Sequence, residues 1–205
     1  MSAITPDRAS LQQRALRLEY ATIAWNVGEA VFTVALGVAA GSLALIGFGV
    51  DAVVEVFASA VVVWHLLTNR DTDHSGRTRS ALRLTAAAFM ALAAVLAIAA
   101  ISDLSSGRQA GESPLGIGYL GLAAAVMFGL AAYKRRIALL LDSAPLRSEA
   151  RMTLLDGWLA TATLFGLSLN AVFGWWWADP AAALVIALAA TNEGRENWNE
   201  AAELG

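Results

Sequence analysis

Residues 42–67 read SLALIGFGVDAVVEVFASAVVVWHLL, an apolar stretch that carries Asp51 and Glu55 near its middle. The stretch is long enough to cross a bilayer as a helix, which needs about 20 residues. Because the two acidic residues are four positions apart, a helix places them one turn apart on one face. A charge at the centre of a membrane helix costs roughly 2.5–3.5 kcal/mol. The pair therefore indicates a site for a proton, a metal ion or a cationic group.

The composition extends this reading to the whole chain. Of the 205 residues, 58% are hydrophobic and 15% are charged, whereas about 25% are charged in soluble domains. The chain has no cysteine, which excludes a disulfide framework and a thiolate metal site. Six apolar segments of spanning length are predicted: 19–39, 43–67, 82–101, 115–133, 151–172 and 176–191.

The predicted architecture is an all-α membrane protein with six transmembrane helices. The membrane domain covers residues 19–191, between an N-terminal segment, 1–18, and a short tail, 192–205. Thirteen of the fourteen Lys and Arg residues fall on one side of the alternating helices, and Arg108 falls on the other. Since basic residues favour the cytoplasmic side, we expect both termini in the cytoplasm and the protein in the cell membrane.

Polar residues form stripes on three of the six predicted helices. Asp51, Glu55 and Ser59 follow at four-residue spacing in the second segment. The stripes in the first and fifth segments consist of Thr22, Asn26, Glu29 and Thr33, and of Glu149, Thr153, Asp156, Ala160 and Thr163. Because a helix rises ~1.5 Å per residue, Glu29, Asp51 and Glu55 lie near the same depth. A cluster of carboxylates at one depth is the arrangement expected of an ion site.

Three members of these stripes have simpler interpretations. Glu29 and Asn26 would also suit a buried hydrogen-bonded pair that only joins helices. Glu149 lies at the membrane edge, where a solvated helix start is the expectation. No Lys or Arg lies inside the cores of the six predicted segments, and Lys134 is assigned to the connection between segments four and five. On this reading no basic side chain pairs with the intramembrane carboxylates.

The chain resembles the cation diffusion facilitator (cation efflux) family along nearly its whole length. The run Gly41–Leu45 followed by the pair Asp51 and Glu55 resembles the family's second helix, with its D-x-x-x-D spacing. Glu149-Ala150 and Asp156 resemble the half-site on the fifth helix, written H-x-x-x-D or D-x-x-x-D. The sixth helix and its exit are matched by 177–184 and Glu193-Gly194.

The resemblance implies a homodimeric, proton-coupled exporter of divalent metals such as Zn²⁺, Mn²⁺, Fe²⁺ or Co²⁺, and not an enzyme. It places the transport site between the second and fifth helices, with Asp51, Glu55 and Asp156 as ligands. The implied partners are the transported metal, protons, membrane lipid and a second copy of the chain, with no nucleic acid and no prosthetic group.

The chain departs from the family pattern in three ways. Met152, for which packing is the expected role, stands four residues before Asp156, where His or Asp is usual. Glu55 is longer than the usual Asp. The chain resembles a short member without the cytoplasmic metal-binding domain. Further ligands could come from residues outside the motif: Glu29, Asn26, Glu149 and Thr153. Oxygen ligands without His suit Mn²⁺, whereas the family favours Zn²⁺, so both metals stay open.

Two other classes of function remain as alternatives. A membrane scaffold or subunit that transports nothing would tolerate loss of Asp51. An intramembrane aspartyl protease would use Asp51 and Asp156 as a dyad that shares a proton. The sequence before Asp51 is G-x-G-x-D, however, one residue longer than the G-x-G-D of such proteases, and Glu55 has no part in that chemistry.

Overall fold

The chain folds into long helices. The computed structural model describes residues 7–40, 43–68, 74–107 and 114–204. Within these ranges there are six helices and no strands: α1 Arg8–Ala40, α2 Leu43–Thr68, α3 His74–Ser106, α4 Pro114–Leu141, α5 Ala144–Phe173 and α6 Ala178–Glu203. The prediction of an all-α fold with six helices is therefore confirmed.

Most of these helices are longer than the apolar segments that predicted them. α1 and α3 each contain 33 residues, which corresponds to ~50 Å against a hydrocarbon core of ~30 Å. An apolar run ends at the first charged residues, but the helix continues into polar sequence because nothing there interrupts its backbone hydrogen bonds. The predicted segments are thus the apolar parts of longer helices.

Five of the helices, α1 to α5, are long and apolar enough to cross a membrane within the described residues. Their surfaces agree with a lipid environment, since large apolar side chains such as Val31, Ile98, Phe165 and Val172 are exposed. Acidic side chains on α1, α2 and α5 are buried. The assignment of α6 as a sixth span stays a prediction.

The turn between α4 and α5 makes these two helices antiparallel neighbours. Only Asp142 and Ser143 connect them, and Asp142 has a positive φ of 50°. The backbone N–H of Ser143 donates to the carbonyl of Ala138, and Pro145 lies in the first turn of α5. At its other end, α5 stops at Gly174, whose left-handed φ of 70° suits a residue without a side chain.

The bundle is built from three closely packed helix pairs: α1 with α2, α3 with α6, and α4 with α5. Each pair has a glycine where the helices approach, namely Gly49, Gly194 and Gly157. Small residues let membrane helices pack closely. α5 also contacts α2, α3 and α6, so it lies at the centre of the bundle.

Two clusters of buried apolar side chains fill the bundle. The larger one includes Phe48, Phe89, Leu120 and Met152, and spans α2 to α6. The smaller one includes Leu11 of α1 and lies where α1 and α5 begin and α2 and α4 end. We call this the basic end of the bundle, because the Arg residues of α1 and of the start of α3, Lys134-Arg135-Arg136 and Arg147 cluster in these parts of the helices.

Gly49→Ala is expected to destabilise the α1–α2 pair. A Cβ at Gly49 would lie 2.6 Å from Cγ2 of Val34 and 2.7 Å from Oγ1 of Thr33, two stiff β-branched side chains. Overpacking of this kind costs typically ~1–3 kcal/mol, which outweighs the gain of ~1 kcal/mol from replacing Gly by Ala in a helix. The thermal unfolding temperature of the purified protein should therefore fall.

Gly47→Ala is the matched control, because it makes the same change on the same helix where no atom lies within 4 Å of the added Cβ. Its unfolding temperature should stay unchanged or rise slightly. Equal unfolding temperatures for the two variants would contradict the close approach at Gly49.

Candidate metal centre

Four carboxylates lie in the middle of the bundle on three different helices. Glu29 is on α1, Asp51 and Glu55 are on α2, and Asp156 is on α5. None of the four side chains is more than 2% exposed. The polar stripes predicted on these helices therefore face one another, while the apolar residues between them face outward.

The carboxylates of this cluster interact across helix boundaries. The carboxyl groups of Asp51 and Asp156 interact with each other across the α2–α5 interface. Glu55 interacts electrostatically with Asp156 and with Glu29. The four acidic groups thus form one continuous patch across the α1–α2–α5 interface, which we call the carboxylate cluster.

Several oxygens of the carboxylate cluster have no hydrogen-bond donor in the part of the chain that the structure describes. They are Oδ2 of Asp51, Oδ2 of Asp156, both carboxyl oxygens of Glu55 and Oε1 of Glu29. Leaving one buried acceptor unsatisfied costs ~1–3 kcal/mol, and more when the group is charged. A proton or a hard cation such as Mn²⁺ or Mg²⁺ supplies what these oxygens lack. The residues present therefore fit a divalent cation as cargo.

The carboxylate cluster does not surround a single ion-binding position. Among the described residues, no three Asp, Glu or His side chains converge closely enough to hold one ion. Binding one ion with three or four of these ligands requires side-chain rotation or a small helix shift.

Glu29 is held in place by aromatic side chains. The indole Nε1 of Trp25 donates a hydrogen bond of 2.9 Å to Oε2 of Glu29. Tyr119 of α4 also lies beside Glu29, and its ring stacks on that of Trp25 with centroids 6.3 Å apart. Asn26 is fully buried, but its amide has no hydrogen-bond partner among the described residues. The interpretation of Glu29 and Asn26 as a mutual hydrogen-bonded pair is therefore wrong.

Glu149 does not lie at a solvated helix start. It is fully buried in α5, one and two turns before Thr153 and Asp156. Oγ of Ser59 donates a hydrogen bond of 2.9 Å to its Oε1. The expectation that it lies at an exposed membrane edge is wrong because α5 begins at Ala144, which places Glu149 inside the bundle.

The partner of Glu149 is a buried lysine that the sequence reading assigned to a loop. α4 continues to Leu141, so Lys134 lies within the helix and is fully buried. Its ammonium forms an ion pair with Glu149 and a longer one, 3.5 Å, with Glu19 of α1. The expectation that no basic side chain lies among the buried carboxylates is therefore wrong.

Glu19 and Lys134 are the two buried charged residues that sequence reasoning missed. Glu19 precedes Thr22 by three positions, so it extends the α1 stripe by one turn, but it lies at the edge of the predicted segment. Lys134 begins the run Lys134-Arg135-Arg136, which resembles a loop unless the helix is followed to its end.

Met152 has the packing role that the sequence reading favoured. Its side chain is 1% exposed and belongs to the larger apolar cluster. The position four residues before Asp156 on the fifth helix is thus filled by a thioether that packs against apolar side chains.

Comparison with known proteins identifies the family. No curated protein sequence gives a significant match to the chain. The model of the cation efflux transmembrane domain matches residues 20–201, which includes all four members of the carboxylate cluster. The match confirms the resemblance carried by the second and fifth helices, and with the apolar helices it indicates an integral membrane protein that transports metal cations. The chain therefore belongs to the cation efflux family.

Proposed function

We propose that the protein exports a divalent transition metal in exchange for protons, with the carboxylate cluster as its transport site. The observation that carries the proposal is the contact between Asp51 and Asp156 across the α2–α5 interface. Both are buried among apolar helices, and each keeps one oxygen without a donor. In this assignment Asp51, Glu55 and Asp156 are the principal ligands, and Glu29 and Asn26 complete the shell.

Exchange follows from the chemistry of the cluster. Adjacent carboxylates in a region of low dielectric cannot all carry their charge without compensation. Protons and a divalent cation compensate the same oxygens, so binding of one releases the other. When the bundle rearranges between two openings, the same residues carry protons one way and metal the other.

The ligand set bears on which metal is carried. Carboxylate oxygens suit Mn²⁺, and Zn²⁺ and Fe²⁺ also accept them. The cluster contains no His, and Met152 is engaged in packing. These features favour Mn²⁺ or Fe²⁺, whereas the family resemblance favours Zn²⁺, and transport measurements have to decide between them.

Orientation and assembly complete the proposal. The basic end of the bundle is placed in the cytoplasm by the excess of Lys and Arg there. Metal would enter from that end and leave at the opposite one. We assign the protein to the cell membrane as a homodimer, as the family resemblance implies.

A protease dyad explains fewer features of the cluster. The contact between Asp51 and Asp156 alone would suit two carboxyls that share a proton. Glu55 and Glu29 interact within the same patch and have no part in that reaction. Membership in a family of transporters supports the transport assignment over both the protease and the inert scaffold.

Asp51→Asn is expected to abolish metal flux without unfolding the protein. The substitution keeps the size of the side chain but removes the charge that binds the cation, and flux in proteoliposomes should fall on the order of 100-fold, the upper range for loss of metal-site partners. Asp142→Asn is the matched control, because it makes the same change at the exposed turn between α4 and α5. Undiminished flux in Asp51→Asn would exclude the assignment.

Asp51 and Asp156 are expected to act as one unit. Asp156→Asn should reduce flux as much as Asp51→Asn does, and the double variant should be no worse than either single one, since residues of one site are strongly non-additive. A double-mutant cycle on initial flux rates measures this. Losses that simply multiply would place the two carboxylates in separate steps.

A panel of metals tests both selectivity and coupling. Zn²⁺, Mn²⁺, Fe²⁺, Co²⁺ and Cd²⁺ are each supplied to proteoliposomes that report internal pH. Each transported metal should be accompanied by proton movement in the opposite direction, because both compete for the same oxygens. Metal flux without a pH change would contradict the proton-coupled mechanism but not the site.

A further inference from the structure

A second buried charge cluster lies beside the carboxylate cluster, on the side of the basic end. Lys134 of α4 is placed between Glu19 of α1 and Glu149 of α5, and all three are fully buried. Oγ1 of Thr153 accepts a hydrogen bond of 3.1 Å from the ammonium of Lys134. We call these three charged residues the lysine triad.

The lysine triad contains more acidic groups than basic ones. Two carboxylates face one ammonium, which leaves one negative charge without a partner if both acids are ionised. The carboxyl groups of Glu19 and Glu149 lie close enough to interact with each other. Within the described residues, Oε1 of Glu19 and Oε2 of Glu149 are buried and have no hydrogen-bond partner. A purely structural ion pair would need only one of the two carboxylates, so the second one calls for an explanation.

The lysine triad lies between the basic end of the bundle and the carboxylate cluster. Glu149 precedes Asp156 by seven residues on α5, or ~10 Å along the helix. On α2, Ser59 follows Glu55 by four residues, or ~6 Å, and donates to Glu149. The hydroxyls of Ser59 and Thr153 thus lie between the two clusters, and polar atoms continue from one to the other.

Lys134 occupies the space between the two carboxylates that a metal ion would need. Among the described residues it is the one Lys or Arg whose side chain is fully buried. The neighbouring Arg151 is partly exposed and pairs instead with Glu193 and Glu196 of α6. A cation is therefore already bound between Glu19 and Glu149, and it is tethered to α4.

We propose that Glu19 and Glu149 form a second divalent-cation subsite, which the ammonium of Lys134 fills as a tethered occupant. A cation that moves between the basic end and the carboxylate cluster displaces the ammonium as it passes. Lys134 thereby closes this side of the path when no cargo is present. The role in transport rests on the function proposed above, whereas the subsite itself can be tested by binding alone.

The test measures Mn²⁺ binding by purified full-length protein in which Asp51→Asn and Asp156→Asn have removed the principal ligands. In this background, Lys134→Gln should add one bound Mn²⁺ per chain, at least tenfold tighter than any binding by the background protein. Lys134→Arg retains a tethered cation and should add none. Lys134→Gln combined with Glu149→Gln removes one ligand and should abolish the added binding. Free Mn²⁺ is followed by electron paramagnetic resonance, and folding by thermal unfolding.

A folded Lys134→Gln variant that binds no more Mn²⁺ than its background would overturn the subsite and reduce the lysine triad to a structural ion pair. If Lys134→Gln fails to fold in metal-free buffer, its recovery is measured with Mn²⁺ present during purification. Recovery that Glu149→Gln abolishes supports the subsite, and no recovery overturns it. Because no flux is measured, these outcomes are independent of whether Asp51 carries transport.

Discussion

The cost of burying carboxylates among apolar helices governs the rest of the structure. Six acidic side chains are buried on α1, α2 and α5, and one lysine is buried with them. Such groups are stable inside a membrane only when they face the interior of a bundle and find cations or protons there. This requirement aligns the polar stripes of the three helices and brings Asp51 to Asp156. It also explains why the exposed surface is apolar and the interior is partly charged.

The sequence predicted the helices and the principal members of the site for physical reasons. Asp51 and Glu55 stand out because each interrupts a long apolar run, and the four-residue spacing places them on one face. Asp156 and Glu29 follow from the same periodicity on their own helices. Met152 was correctly interpreted as packing, since a thioether without polar neighbours belongs in a core.

The sequence could not reveal the lysine triad, because it depends on where helices end and on which helices meet. Lys134 looks like a loop residue as long as α4 is taken to stop at the edge of its apolar run. Glu149 looks solvated as long as α5 is taken to begin at residue 151. The distances between side chains on different helices, such as 3.5 Å between Lys134 and Glu19, depend on tertiary packing that no periodicity contains.

Two of the close glycine contacts join helices into pairs, α1 with α2 and α4 with α5, which we call the two units. The residues of the carboxylate cluster and the lysine triad are divided between these two units. Gly49 allows α2 to pack closely against α1, and Gly157 allows α5 to pack closely against α4. One unit therefore carries Glu19 together with Asp51 and Glu55, and the other carries Lys134 together with Glu149 and Asp156. The Asp51–Asp156 interaction and the Lys134–Glu19 ion pair both cross from one unit to the other. A displacement of one unit relative to the other would therefore change both interactions at the same time. The helix pairing thus couples the carboxylate cluster to the lysine triad.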